Sequence, residues 1–226
     1  MESFASSDKL FESREFVKGL SELKKRREGG EESCDLLWRQ CRFCHELSTT
    51  MSGEERRQIL LEGRDYGLQA MELDPSCFDA AKWASIVFGL VVDQLPTKEK
   101  INEGGKLKDM LDKALQLDPT DFALLHLRAR FSFTIANLSW IERKAASVLY
   151  NEVPKATIDD ARADFEAAYE QRADWIENML FLSKCHIAKK DKKKARELLS
   201  KAVELPMETP NDEELLKECK ALLQKC

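Results

Sequence analysis

Three side chains that can bind a metal or a haem stand together in the stretch CRFCHEL, at Cys41, Cys44 and His45. Cys-x-x-Cys-His is the spacing of covalent haem attachment, and it also resembles half of a tetrahedral zinc site. A structural zinc needs four ligands, and the chain offers no second Cys-x-x-Cys. Cys185-His186, in the last repeat described below, is the only other Cys/His pair. The seven cysteines (Cys34, Cys41, Cys44, Cys77, Cys185, Cys219, Cys226) are odd in number and are expected as free thiols in a reducing compartment. Trp38, Cys41 and His45 recur at helical spacing, and Cys44 borders the same face. The stretch therefore reads as the inward face of a helix in which cysteine serves as a small apolar residue. No metal or cofactor is expected.

Other catalytic patterns are weaker still. His45, His126 and His186 lie far apart in sequence, and the chain has neither Gly-x-Ser-x-Gly nor a phosphate loop. Asp159-Asp160 and Glu213-Glu214 read as helix-start charges that favour the helix dipole. No catalytic residue is assigned, and the chain is not expected to be an enzyme.

Basic clusters carry more information. Lys189, Lys190, Lys192, Lys193, Lys194 and Arg196 crowd one turn, and Lys24, Lys25, Arg26 and Arg27 form a second run, on a chain whose formal net charge is −5. The molecule as a whole is not drawn to nucleic acid, so an acidic partner must be met locally, with a strength that falls as salt rises. Trp83, His126, Arg128, Arg130 and Phe133 are candidate lining or core residues of a groove that takes other proteins. Phe131, Phe133, Trp140 and Tyr150 are expected to pack an inserted helix.

The elements that position these groups are helical. Hydrophobic residues make up 43% and charged residues 34% of the 226, with only nine Gly and six Pro to interrupt them, which favours an all-α chain with a real core. The longest apolar run, WASIVFGLVV (Trp83 to Val92), is too short to span a bilayer, and the N-terminus does not read as a secretory signal. An intracellular, soluble protein is expected. AMELDP (Ala70 to Pro75) returns as ALQLDP (Ala114 to Pro119), with weaker echoes at AYEQRA (Ala168 to Ala173) and AVELP (Ala202 to Pro206). Such a phrase at helix ends marks a helix-turn-helix solenoid with a tetratricopeptide-like period.

Paired helices are expected at Ser33 to Ser48 with Gly53 to Leu73, Ser76 to Val92 with Thr97 to Leu117, Asp121 to Leu138 with Thr157 to Gln171, and Trp175 to Lys189 with Lys192 to Glu204. An inserted helix falls at Trp140 to Tyr150 and a cap at Asn211 to Leu223. Gly104-Gly105 should kink the fourth of the paired helices or delay its start. Ser52-x-x-Glu55 and Thr157-x-x-Asp160 look like capping boxes, and Thr209-Pro210 like a helix start. Residues 1–30 form an amphipathic helix (Asp8 to Glu28; stripe Leu10, Phe11, Val17, Leu20, Leu23) ending in a flexible Gly-Gly hinge. Residues 31–226 form the repeat domain, a right-handed all-α solenoid.

LLWRQCR (Leu36 to Arg42), AAKWAS (Ala80 to Ser85) and the long stretch from Ala114 to Thr157 resemble the regulator of microtubule dynamics family. The most specific features are His126-Leu127, Leu138-Ser139-Trp140, and Tyr150 with Pro154. The resemblance implies a helical-repeat protein that associates with microtubules, including spindle microtubules and poles, in the cytoplasm, with roles in spindle organisation and chromosome segregation. Tubulin is then the acidic partner of the two basic clusters. The alternative is a phospholipid- or peptide-binding scaffold with only indirect microtubule association. Some members of the family carry a membrane anchor; none is read here, so an organelle-contact role is not carried over.

Overall fold

A computed structural model describes residues 4–149, 155–207 and 209–226. Among these the secondary structure is helical throughout, with no strand. The chain divides into two compact units. The first comprises residues up to Pro96 together with Asp109–Leu117, and the second Thr97–Lys108 with Asp118–Cys226.

The first unit begins with α1 (Ala5–Glu12) and α2 (Phe16–Glu28). The single helix expected over Asp8 to Glu28 is thus two. Arg14 takes φ 59°, and the Glu15 amide reaches back to the Leu10 carbonyl (2.9 Å), which closes α1 and turns the chain. The stripe shifts accordingly: Leu10, Leu20 and Leu23 are buried, while Val17 is 72% exposed. At the far end Gly30, at φ +94°, ends α2 in a left-handed conformation that a side chain would oppose, and Arg26 pairs with Glu31 across the turn (2.6 Å).

Next come α3 (Cys34–Thr50), α4 (Gly53–Leu73) and α5 (Phe78–Asp93). Ser33 caps α3 by accepting the Leu36 amide. Ser52 precedes α4 without a side-chain cap bond, so the capping box expected there does not form. The three helices and α2 share one core, with Leu23, Leu36, Leu37, Cys41, Phe43, Cys44, Leu60 and Val87 fully buried. What lets them close is the absence of a side chain at Gly63 and Gly67 of α4. A Cβ at Gly63 would lie 2.7 Å from Cys44 Cβ on α3 and 3.3 Å from Val87 on α5. A Cβ at Gly67 would lie 2.8 Å from the Ala84 Cα on α5 and 3.0 Å from Cys41 Sγ on α3. The small face of α4 is therefore the contact plane for both neighbours.

The helix α6 (Thr97–Leu117) contributes its two ends to different units. It includes Gly104-Gly105 and starts at Thr97, so the later start allowed for at those glycines does not occur. Two glycines cost about 1 kcal/mol each against alanine, and burial of Leu107, Met110, Leu111, Ala114 and Leu115 along the helix offsets that.

In the second unit α7 (Phe122–Ala136), α9 (Ile158–Gln171), α10 (Ile176–Ala188), α11 (Lys192–Ala202) and α12 (Pro210–Leu223) pack in succession, with α8 (Trp140–Leu149) inserted before α9. Tyr150 and Pro154 lie outside the described residues. Thr157 and Asp160 form the expected capping box, and Pro210 opens α12. The small residues Ser183, Ala195 and Ala202 are fully buried beside Leu199, as the last repeat requires. Trp140 departs from expectation: it is 73% exposed, as is Ile141, and does not pack α8 onto α7. Phe133 instead meets Phe181 on α10 edge-on at 5.7 Å.

The repeated phrase has a physical meaning. Ala70, Ala114, Ala168 and Ala202 are all fully buried. Asp74 accepts the Ser76 amide and hydroxyl (2.9 and 2.6 Å), and Asp118 accepts those of Thr120 (2.9 and 2.8 Å), so both Asp-Pro turns close the same way.

Gly63→Ala and Gly67→Ala should each lower the unfolding midpoint. On an open helix face the change would add about 1 kcal/mol; here overpacking should leave a net loss of about 1–3 kcal/mol. Urea denaturation followed by circular dichroism checks this, and a raised midpoint would contradict the packing.

Candidate functional site

The lysine-rich turn joins α10 to α11. Lys190 takes φ 64°, and the Asp191 amide donates back to the His186 carbonyl (2.9 Å). Asp191 then caps α11 by accepting the Lys194 amide (3.2 Å). Lys189, Lys190, Lys192, Lys193, Lys194 and Arg196 are all exposed. Two have local duties: Lys189 pairs with Asp159 on α9 (2.7 Å), and Lys192 donates to the Lys225 carbonyl after α12 (3.0 Å). Among the described residues the side chains of Lys190, Lys193, Lys194 and Arg196 make no ion pair.

The second basic run sits otherwise. Lys24 pairs with Glu62 (2.6 Å) and Arg26 with Glu31, while Arg27 donates to Gln69 (2.6 Å) and lies 5.2 Å over the Tyr66 ring. Three of its four cations thus hold α2 to its own unit, and Lys25 projects outward.

Cys41 and Cys44 are fully buried against the glycine face of α4. Burial pushes the Cys41 thiol well above the usual range, with the Cys44 charge adding, and burial raises Cys44 likewise with Glu62 adding. His45 lies at the edge, 5.4 Å from the Trp83 ring. Among the described residues no group of three His, Cys, Asp or Glu side chains is placed to hold a metal ion.

Of the groove candidates, Trp83 belongs to the first unit and the rest to the second. Arg128 makes a bidentate pair with Asp164 on α9 (2.7 Å each), and Arg130 reaches Glu177 on α10 (2.7 Å), so the two arginines tie α7 to both neighbours. His126 is interior. Its ring lies 4.0 Å from Trp175 and 5.4 Å from Phe165. Asn178 donates its amide to the Phe165 carbonyl (3.0 Å), which leaves Asn178 Oδ1 to accept from His126 Nδ1 (2.9 Å). Nε2 then carries the lone pair, buried and without a partner, 3.8 Å from the Glu177 carboxylate. Burial lowers the imidazole to about 4, against the opposing pull of Glu177 and Asn178.

The most elaborate polar cluster was not singled out from the sequence. Arg39 and Arg42 on α3 both grip Asp8 on α1, over Phe4, Phe11 and Trp38. Its available signal was an Arg-x-x-Arg pair beside an aromatic on an apolar helix. The carboxylate that completes it lies 31 residues away on another element.

Helix pairs closed by buried alanines, joined by Asp-capped turns and bearing a charged outer turn, define a tetratricopeptide-like helical-repeat protein. The backbone agrees with solved structures of that class. A thermophilic tetratricopeptide protein of Thermus thermophilus, TTC0263, superposes with a TM-score of 0.62 at 15% identity, covering 97% of each chain. MamA from Desulfovibrio magneticus gives 0.53 at 14% identity, over 89% of this chain and 91% of that one. The sequence profile described as Regulator of microtubule dynamics protein 1-3 matches residues 3–226. A Caenorhabditis elegans protein named Regulator of microtubule dynamics protein 1 is 79% identical over 226 residues, the whole of both chains. A Mus musculus protein of the same name is 32% identical over 225 residues, 98% of this chain and 73% of that one. The chain belongs to the regulator of microtubule dynamics family. Among the described residues no helix is long and apolar enough to cross a membrane.

Two outcomes follow from the buried groups. Cys41, Cys44, Cys185 and Cys219 should stay silent to a thiol reagent until the chain unfolds, whereas partly exposed Cys77 and Cys226 react in the native state; mass mapping of the label checks this. His126 binds its proton less readily folded than unfolded, so the unfolded chain takes up more protons between pH 6.5 and about 4. Stability should therefore fall as pH drops through that window, by about 3 kcal/mol in full. His126→Phe should flatten that part of the pH profile of the thermal midpoint.

Proposed function

We propose that this protein is a non-enzymatic microtubule-binding protein that regulates microtubule dynamics and spindle organisation, acting in chromosome segregation from the cytoplasm and the spindle microtubules and poles. The observation that carries the reading is the turn at Lys189 to Arg196. Its six cations face outward, and Lys190 holds a left-handed position where glycine is the usual residue. A left-handed non-glycine residue costs about 1 kcal/mol or more, so this turn carries charge where a neutral glycine would sit more easily. A concentrated positive field on a net-acidic chain matches an acidic polymer such as tubulin, and the names of the relatives point to the same partner. Lys25, with the rest of the Lys24–Arg27 run, supplies a second and weaker patch.

Sedimentation with taxane-stabilised microtubules tests the proposal. The protein should pellet in low salt and be released as ionic strength rises past about 0.15 M, where the Debye length falls to roughly 8 Å. Lys193→Glu with Lys194→Glu and Arg196→Glu should weaken pelleting at least tenfold, because these side chains carry no structural ion pair. Equal pelleting by that triple variant would move the contact elsewhere. No pelleting by the unaltered protein above its own background would refute the reading. Anionic vesicles serve as a parallel arm: flotation with vesicles in place of pelleting would favour the phospholipid scaffold.

A further inference from the structure

The contact between α1 and α3 is an ion-binding site already filled by the chain itself. Asp8 Oδ1 accepts from Arg39 Nε (3.0 Å) and Arg42 Nη2 (2.8 Å), and Oδ2 accepts from Arg39 Nη2 (3.0 Å). The α3 side of this site is built without α1. Arg39 is anchored on the Asp35 carbonyl and carboxylate (3.0 and 2.9 Å), and its guanidinium lies 4.1 Å over Trp38. Arg42 lies 5.0 Å over the same ring. Trp38 is itself fixed by donating its indole N–H to Asp35 (3.2 Å). Two guanidiniums on an indole plate therefore stand ready on a helix of the core.

The α1 side is lightly held. It is eight residues long, below what is stable alone in water. It buries only Ser7 and Leu10, and it joins α2 through Arg14 in a left-handed conformation. Its hold on α3 rests on Asp8, on the stacking of Phe4 and Phe11 against Arg39 (4.4 Å) and Arg42 (3.8 Å), and on the edge contact of Phe11 with Phe43 (5.4 Å). The Asp8 contacts among these are polar and open to competition by another carboxylate.

Asp8 also leaves the site incomplete. Arg42 Nε is buried and has no hydrogen-bond partner. A buried donor of a charged group left unpaired is costly, and one carboxylate cannot reach it while also bridging Arg39. Two neighbouring carboxylates could serve all of these donors.

We propose that α1 is an internal acidic ligand, and that Arg39 and Arg42 with Trp38 form a docking site for a carboxylate-rich peptide segment of a partner protein, which enters by displacing α1. The preferred segment carries two adjacent acidic residues. This site is separate in sequence and chemistry from the lysine-rich turn, and it does not rest on the microtubule reading. The tethered Asp8 acts at a high effective concentration, so the resting protein binds such a peptide weakly and loosening α1 strengthens it.

The test uses the full chain and a fluorescein-labelled hexaglutamate peptide, with hexaglutamine as control, followed by anisotropy. Asp8→Asn, checked for unchanged circular dichroism, should bind hexaglutamate at least fivefold more tightly than the unaltered protein and should not bind hexaglutamine. Phe4→Ala, which loosens α1 without altering charge, should tighten binding in the same direction. Adding Arg39→Gln and Arg42→Gln to Asp8→Asn should return affinity to or below that of the unaltered protein. Hydrogen exchange of the α1 amides should speed up when Asp8→Asn is saturated with peptide. Binding by Asp8→Asn no tighter than by the unaltered protein would overturn the proposal, as would retained affinity after loss of both arginines.

Discussion

The missing Cβ atoms of Gly63 and Gly67 set how near α4 comes to α3 and α5, and the other contacts of the first unit depend on that spacing. A Cβ at either position would press on a neighbouring helix, on Cys44 Cβ at 2.7 Å or on Ala84 Cα at 2.8 Å. With the three helices this close, Leu37, Phe43, Leu60 and Val87 are shut from water, and α2 finds an apolar surface for Leu20 and Leu23. The second unit uses alanine and serine for the same end, at Ala129, Ala161, Ala168, Ser183, Ala195 and Ala202. Small residues contribute little apolar area themselves; their value lies in what larger neighbours bury once the helices approach.

Close packing explains why Cys41 and Cys44 are shielded and why the charges matter. A thiol is small and apolar enough to face a glycine, and burial then keeps it protonated. Cations and carboxylates are left to the rims, where they hold one helix to the next. Arg128 with Asp164, Arg130 with Glu177, Lys24 with Glu62 and the Asp8 clasp all join separate elements. The lysine-rich turn differs from these. Among the described residues only Lys189 and Lys192 of its six cations have partners, and the others face solvent. Charge that ties helices together and charge left facing solvent are thus separated by whether a partner group was placed opposite.

Much of this was legible in the chain. The recurring Ala-x-x-Leu phrase with its Asp-Pro turns located the repeats, since each feature acts within a few residues: a small side chain one turn from a helix end, and an aspartate capping the amide two residues on. The expected helix bounds lie close to the observed ones for the same reason. The misplacements arose where a distant element decides. Val17 sits on the correct period yet points outward, because the turn at Arg14 reorients α2. Trp140 was expected to pack the inserted helix on the third repeat, yet it is left exposed. The Arg39–Asp8 pair was missed because its two halves are far apart in sequence.

The amino-acid sequence by itself determined that the chain is a series of helix pairs with free thiols and clustered lysines, and which family it resembles. These properties are local: periodicity, capping, composition and charge need no knowledge of what lies opposite. Tertiary structure alone decided which cysteines meet glycines, which arginines are neutralised, why His126 keeps a buried lone pair, and that α1 folds back to fill a site on α3. Each depends on a partner brought near by folding, and burial then sets how much that partner matters, because removing water strengthens every remaining contact and penalises every unpaired group.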